Sequence, residues 1–231
     1  MAKRKKNKKK NKRDEEILLD ITEVTGQAED YLEKNQKPIM ISAILFVLVV
    51  GGYLAYQNLY LKPKQDDAVT QMAEAEYQFA RDSFALALAN PGGGYPGFAD
   101  IVNNYGGTDA ANAALYYSGI STLNMGQYDA AISYLEEFSA DGDLLPIMKH
   151  GALGDAYSEN GDLDKGLSLY NQAVSAGDNE LLTPYYLKKV AMLSQKLGKN
   201  DAAVQAWERI KTDYPNSNEA REAPKYLISL K

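Results

Sequence analysis

The residue types that carry most enzyme chemistry are nearly absent from this chain. Its 231 residues include no cysteine and a single histidine, His150. The lack of cysteine excludes disulfides, thiolate metal sites and a cysteine nucleophile, and one histidine weakens every Ser-His or zinc arrangement. His150 has no acidic residue at ligand spacing, so it is interpreted as a packing or surface residue. The sequence therefore predicts no enzyme activity, no metal site and no cofactor.

A glycine-rich stretch at residues 92–97 (GGGYPG) is the one candidate for a phosphate-binding loop. A P-loop needs a preceding strand and a following Lys-Ser/Thr pair, and both are missing here. The surrounding NPGGGYPG is instead a cluster of residues typical of turns. We interpret this stretch as a flexible turn between helices.

Charge is distributed unevenly along the chain. The whole sequence has 25 Lys and Arg against 31 Asp and Glu, a net charge of -6. Nine of the bases lie in residues 1–13, and they are Lys3, Arg4, Lys5, Lys6, Lys8, Lys9, Lys10, Lys12 and Arg13. Residues 14–231 keep the other 16 bases and all 31 acids, so they carry -15. Residues 1–13 have nothing to bury and are predicted to form a basic disordered tail.

Two kinds of partner are open for this basic tail. Its side chains suit the headgroups of anionic membrane lipids, and they equally suit RNA phosphates contacted without sequence readout. No aromatic residue lies among them, so stacking on bases is not indicated.

Residues 14–37 are predicted to form an acidic amphipathic helix next to the membrane. Ile17, Ile21, Val24, Ala28 and Tyr31 recur at spacings of four and three residues, which is the period of one helical face. Either a protein partner or a second copy covers that face, or the segment is a solvated spacer helix.

Residues 38–61 contain 24 consecutive residues without a charge. As a helix they extend ~36 Å, which is enough to cross a hydrocarbon layer of about 30 Å. Tyr53, Tyr56 and Tyr60 cluster where an aromatic belt lies at the headgroups. The stretch is too long for a signal peptide and lacks a small-x-small cleavage site, so we predict an uncleaved transmembrane helix. Gly51 and Ala55 form a small-xxx-small step at which another membrane helix can approach.

The flanking charges predict the topology. Eleven Lys and Arg residues precede the span and two, Lys62 and Lys64, directly follow it. The positive-inside rule then places the N-terminus in the cytoplasm and residues 62–231 across the membrane, in a periplasm.

Residues 66–231 have helical patterns throughout. Residues 66–90 are rich in helix formers and predict one helix that ends at the glycine-rich turn, and a short helix follows near residues 98–105. Pairs of small residues then recur seven residues apart: Gly119 with Gly126, Gly154 with Gly161, and Ala191 with Gly198. The spacings of 35 and 37 residues are close to the 34-residue tetratricopeptide (TPR) period.

A second recurring set strengthens this periodicity. Ala131, Gly166 and Ala203 are small, and a large residue follows each four positions later: Leu135, Tyr170 and Trp207. Small residues let two helices approach, and large ones fill the groove to the next pair. Residues 109–216 thus resemble TPR proteins. We expect an all-α chain, with one transmembrane helix followed by a TPR-like α-solenoid of about four helical pairs and a capping helix.

The first helix of each pair lines the concave face of such an array. On this basis we predict a protein-binding groove formed by Tyr116, Ile120, Leu123, Asp155, Ser158, Tyr185, Lys188, Met192 and Gln195. One lysine among aromatic, methionine and aspartate side chains does not match a carboxylate clamp, so the groove suits apolar or extended segments. The alternative is that these side chains only pack beneath loops or the leading helix.

The whole layout resembles the YfgM-like ancillary subunits of the SecYEG translocon. The resemblance rests on the span 38–61, the stretch FALALANPGGGYPGFADIVNNYGGT and the repeats. It implies a protein of the bacterial inner membrane that binds SecYEG and a PpiD-like membrane-anchored periplasmic chaperone and assists secreted proteins as they emerge. Beside a translocon the basic tail faces the ribosome, which makes ribosomal RNA a candidate partner. The alternative function is a TPR scaffold for another cell-envelope complex, in cell division or outer-membrane assembly.

Overall fold

The structure is a computed structural model that describes residues 31–230. The predicted basic tail and most of the predicted acidic helix 14–37 lie outside the described residues. The chain divides into two units, with the boundary between Tyr60 and Leu61. This boundary falls at the end of the predicted span.

The first unit contains helix α1 (Gln36–Ala55), which is followed by a π-helical turn, Tyr56–Leu61. No residue of α1 is buried. The polar side chains of the turn bond locally: Gln57 donates to the Tyr53 hydroxyl at 2.9 Å, and Asn58 donates to the Leu54 carbonyl oxygen at 2.8 Å. The helical stretch Gln36–Phe79 is the one helix within residues 31–230 that is long and apolar enough to cross a membrane. The exposure of every residue of α1 is unlike that of a core helix, which buries an apolar face.

The second unit is a succession of helices joined by short turns. In chain order they are α2 (Lys62–Phe79), α3 (Phe84–Ala89), α4 (Phe98–Asn104), α5 (Asp109–Asn124), α6 (Tyr128–Glu137), α7 (Leu145–Glu159), α8 (Leu163–Ala176), α9 (Leu182–Lys196), α10 (Asn200–Asp213) and α11 (Asn218–Ser229). No strand forms within residues 31–230, so the predicted all-helical fold is confirmed for that part of the chain. Of the about four predicted pairs, three are α5 with α6, α7 with α8, and α9 with α10. Residues 62–104 form three helices, α2, α3 and α4, in place of a fourth pair.

The prediction of one helix over residues 66–90 is wrong. Helix α2 ends at Phe79, and the chain turns through Asp82, which has a left-handed φ of 57°. Aspartate tolerates this conformation better than most residues. The turn brings the ring of Phe84 edge-on to Phe79 at 5.5 Å, and Phe79 also contacts Phe98 and Tyr117. This aromatic packing stabilises the end of α2 at Phe79, although no Pro or Gly in the sequence marks it.

The turn inside each pair has the same hydrogen-bond pattern three times. Gly126, Gly161 and Gly198 have φ values of 73°, 93° and 73°, as the sequence pattern predicts for the residue that ends a helix. In the first pair, the amide of Gly126 donates to the Leu123 carbonyl oxygen, and that of Gln127 donates to Thr122. The second and third pairs repeat both bonds. These Schellman turns fix where each second helix begins.

The helices of a pair touch where the sequence places its small residues. A Cβ atom added at Gly119 would lie 2.6 Å from the Leu135 side chain, and one at Gly154 would lie 2.5 Å from the Tyr170 ring. The third pair has Ala191 at the equivalent position, fully buried with Ala203. A further glycine, Gly151, lets the Tyr186 ring of α9 pack directly on the α7 backbone. Glycine is thus required for contacts both within and between pairs.

Helix α11 closes the last pair. The ring of Tyr226 stacks on fully buried Trp207, with centroids 4.5 Å apart and planes within 3°. Ala220, Ala223 and Leu227 are also buried, so α11 presents its small apolar face to the core, as a capping helix does.

We expect Gly154→Ala to destabilise the second unit by ~1–3 kcal/mol, because the added methyl group overpacks against the Tyr170 ring. The direction of this change in stability is informative, because alanine by itself favours a helix by about 1 kcal/mol over glycine. Urea unfolding followed by far-ultraviolet circular dichroism measures the effect. The exposed Gln172→Ala on α8 is the control, and a stability of Gly154→Ala equal to or above that control would contradict the close approach.

Candidate protein-binding groove

The groove is centred on Asp155 of α7, which bonds to the two helices that follow it. Its Oδ1 atom accepts a hydrogen bond from the Tyr170 hydroxyl at 2.5 Å and forms an ion pair with Lys189 Nζ at 2.5 Å. Lys189 lies on the first helix of the next pair, α9, so the ion pair joins consecutive first helices. Both side chains are about three-quarters buried, at 24% and 26% exposure.

Aromatic rings surround the ammonium group of Lys189. Its Nζ lies 5.6 Å from the ring centroid of Tyr170 and 5.1 Å from that of Tyr185, within the range of cation–π attraction. Burial alone lowers the pKa of Lys189, but the Asp155 carboxylate and Tyr185 outweigh it, so the net pKa is raised. The lysine is therefore a cation held between a carboxylate and two rings.

The tyrosines of this cluster stay protonated. Burial, and then the negative charge of Asp155, raises the pKa of Tyr116 to about 12. The same two causes, in the same order, raise the pKa values of Tyr170 and Tyr186 well above the usual value of 10. At neutral pH these hydroxyls are uncharged, so Asp155 and Lys189 are the charges at the centre of the groove.

These contacts bring together three of the predicted groove residues. Tyr116 of α5, Asp155 of α7 and Tyr185 of α9 come from the first helices of three successive pairs. The charge of Asp155 and the phenol of Tyr185 both act on the pKa of Tyr116, which places the three groups in one electrostatic cluster.

Two pockets adjoin this cluster. The first, which we call the C-terminal pocket, has a volume of about 510 Å³. Four predicted residues line it: Ser158, Tyr185, Lys188 and Met192. Tyr185 and Met192 are 42% and 46% exposed, large apolar surfaces open to a partner.

The second, which we call the N-terminal pocket, has a volume of about 410 Å³ and lies along α5, the α6–α7 loop and the start of α7. Tyr116 is the predicted residue that lines it. Tyr117, Phe138, Leu145 and Met148 also line it.

The remaining predicted residues have other surroundings. Ile120 and Leu123 are partly buried against the core around Ala131 and Leu135. Lys188 is also an ion-pair partner of Glu222 on α11, at 2.6 Å. Gln195 is exposed and lines neither pocket. Ile120, Leu123 and Gln195 thus match the alternative in which side chains pack or stay solvated.

Several residues of the site were missed by sequence reasoning. Lys189, Tyr170 and Lys196 line the C-terminal pocket, and Asp109 and Asp141 line the N-terminal one. Lys189 carries no repeat signal, because the 37-residue offset between the second and third pairs aligns Asp155 with Met192. Asp141 carries no signal either, because a loop residue reaches the pocket only through the path of its backbone.

The predicted contacts outside the groove stay predictions. Gly51 and Ala55 are exposed on α1, and a Cβ atom at Gly51 would meet nothing within 4 Å. The basic residues of the tail, 3–13, lie outside the described part of the chain. Within residues 31–230 no cluster of three or more His, Asp or Glu residues could hold a metal ion.

Comparison with protein families identifies the repeats. Models of the tetratricopeptide repeat match residues 113–141, 150–176 and 189–217. These ranges include most of α5–α6, α7–α8 and α9–α10, the pairs that build the groove. No curated protein matches the chain. The chain therefore contains TPR repeats, which support a role as a protein–protein interaction module.

We expect Asp155→Asn to cost ~1–3 kcal/mol of stability, because it leaves the largely buried Lys189 side chain without its counter-ion. Lys189→Met removes the other partner. Urea unfolding of both variants and of their combination gives a double-mutant cycle. The loss in the combined variant should be smaller than the sum of the single losses; strictly additive losses would show that the two charges do not interact.

We expect the stability of the second unit to fall above about pH 10, where an unfolded tyrosine ionises. The raised folded pKa values of Tyr116, Tyr170 and Tyr186 mean that the folded state holds protons that the unfolded state loses. Stabilisation from these groups is complete below pH 10 and is lost as pH rises toward the folded pKa values. Urea unfolding across this alkaline range should show a shallower decline for Tyr170→Phe than for the wild type, and an identical slope would contradict the assignment.

Proposed function

We propose that this chain is a membrane-anchored TPR module that serves as an accessory subunit of the SecYEG translocon. In this role it docks a PpiD-like membrane-anchored periplasmic chaperone and assists secreted proteins as they emerge. The observation that carries the proposal is the groove across the first helices of three TPR pairs, with exposed Tyr185 and Met192 beside a buried ion pair. We assign no catalytic step to the chain.

The anchoring part of the proposal rests on α1. Its apolar side chains are exposed, and the helix that contains it is long enough to cross a bilayer. The excess of bases before the span supports a cytoplasmic N-terminus and a periplasmic TPR domain in the bacterial inner membrane. The basic tail then lies at the cytoplasmic face, where anionic lipid headgroups and, beside a translocon, ribosomal RNA are its candidate partners.

The translocon part of the proposal rests on the layout of the sequence. The anchor, the glycine-rich stretch and the repeats follow one another as they do in the YfgM-like subunits. Within residues 31–230, a helical anchor candidate followed by a helical domain that α11 caps supports this order.

We expect crosslinked affinity purification of the tagged full-length protein from gently solubilised membranes to recover SecY and a periplasmic chaperone. Substituting the exposed groove residues, as Tyr185→Ser with Met192→Ser, should reduce chaperone recovery several-fold, because large apolar side chains at an interface centre carry most of its affinity. Quantitative mass spectrometry measures both recoveries.

The matched control replaces exposed residues that line neither pocket, as Tyr77→Ser with Ile228→Ser. That variant should recover the chaperone at the wild-type level. Enrichment of a cell-division or outer-membrane assembly complex without SecY would reject the translocon role and leave the TPR scaffold for another envelope complex.

A further inference from the structure

We propose that the N-terminal pocket binds a cationic side chain, Lys or Arg, from an extended segment of a partner protein. This inference deepens the proposed function, on which it rests only in taking a protein segment as the occupant of the groove. It assigns a chemical specificity that the TPR fold does not itself dictate.

The walls of the pocket are aromatic. Tyr116, Tyr117 and Phe138 line it, and the ring centroid of Tyr116 lies 5.3 Å from Phe138 and 6.2 Å from Tyr117. The faces of aromatic rings attract cations. Leu145 and Met148 complete the lining with aliphatic surface, which suits the methylene stem of a long basic side chain.

The charges of the pocket lining are all negative. Asp109 and Asp141 line it, both exposed, and no lysine or arginine does. Over the described range neither carboxylate has a cation within ion-pair distance. Lys149, which follows Met148 in the sequence, donates instead to the carbonyl oxygens of Glu136 and Phe138. The pocket therefore offers two carboxylates that an incoming cation can pair with.

The acidic loop is held in place before any partner arrives. Asn112 of α5 donates to the Ser139 carbonyl oxygen at 2.8 Å and accepts from the Ser139 amide at 2.8 Å. This reciprocal pair ties the start of the α6–α7 loop to α5, two residues before Asp141. A preformed site loses less entropy on binding than a mobile one.

The same segment can continue toward the C-terminal pocket. Tyr116 lines the N-terminal pocket, and the charge of Asp155 acts on its hydroxyl. The partners of Asp155, Tyr170 and Lys189, line the C-terminal pocket. There the exposed Tyr185 and Met192 favour an apolar residue. The occupant that fits both pockets is an extended segment with one basic and one apolar anchor. An acidic segment would meet the carboxylates of Asp109 and Asp141 instead of a cation.

The test compares two fluorescent peptides that differ only in charge. Both are unstructured Gly/Ser peptides with one Leu, and one carries Arg where the other carries the neutral isostere citrulline. Fluorescence anisotropy with the full-length protein in detergent micelles should show at least about five-fold tighter binding of the Arg peptide, from one cation–π contact and one exposed ion pair. Raising the salt concentration should reduce this preference.

Asp109→Asn with Asp141→Asn should remove the preference while circular dichroism stays unchanged. Asp201→Asn with Glu208→Gln on α10 removes the same net charge outside the pocket, and it should keep the preference. Equal binding of both peptides to the wild type, no binding of either, or a preference that persists in Asp109→Asn with Asp141→Asn would each overturn the proposal. If that variant does not fold, the wild-type peptide comparison and its salt dependence decide.

These outcomes are separable from those of the proposed function. Loss of SecY and chaperone from the purification, with the Arg preference intact, would reject the translocon role and retain the pocket. Recovery of both partners without an Arg preference would retain the translocon role and reject the cation-binding pocket.

Discussion

The close approach of paired helices is the constraint on which the rest of this structure depends. At Gly119 and Gly154 there is no room for a Cβ atom beside Leu135 and Tyr170, and the equivalent residue of the third pair, Ala191, is fully buried. Because protein interiors are packed about as densely as organic crystals, a helix cannot move aside to admit a larger residue without opening a gap elsewhere. The glycine turns that follow each first helix then fix where its partner begins.

The groove follows from this packing. Once α7 and α9 pack closely enough for the Tyr186 ring to lie on the backbone at Gly151, Asp155 and Lys189 come within bonding distance. Burial of such a pair costs desolvation energy, and the compensation comes from the Tyr170 hydroxyl and the rings around Lys189. The result is a polar centre with its own charges satisfied, flanked by two pockets whose exposed residues are available to a partner.

The two pockets differ in character because different elements build them. The C-terminal pocket lies between two TPR pairs and α11, where lysines of α9 meet glutamates and an exposed methionine. The N-terminal pocket lies beside an acidic loop whose position depends on Asn112 and Ser139. A groove with an acidic aromatic end and an end that combines lysines, glutamates and exposed apolar side chains gives direction to an extended segment, which a uniformly apolar surface cannot do.

The sequence by itself determined the helical class, the candidate membrane span and the three TPR pairs. These features depend on local or strictly periodic signals: an uncharged run of 24 residues, glycines at helix ends, and small residues at a fixed spacing. Periodicity also placed Tyr116, Asp155 and Tyr185 on one face.

Only the tertiary structure decided the turn at Asp82, the pairing of Asp155 with Lys189 rather than with Lys188, and the position of Asp141 in a pocket. Each of these depends on which side chains meet across helices, where a rotation of about 100° per residue separates neighbours such as Lys188 and Lys189. A repeat period assigns a residue only to a face of its helix. The packing of the neighbouring helix then decides which residue of that face makes a given contact.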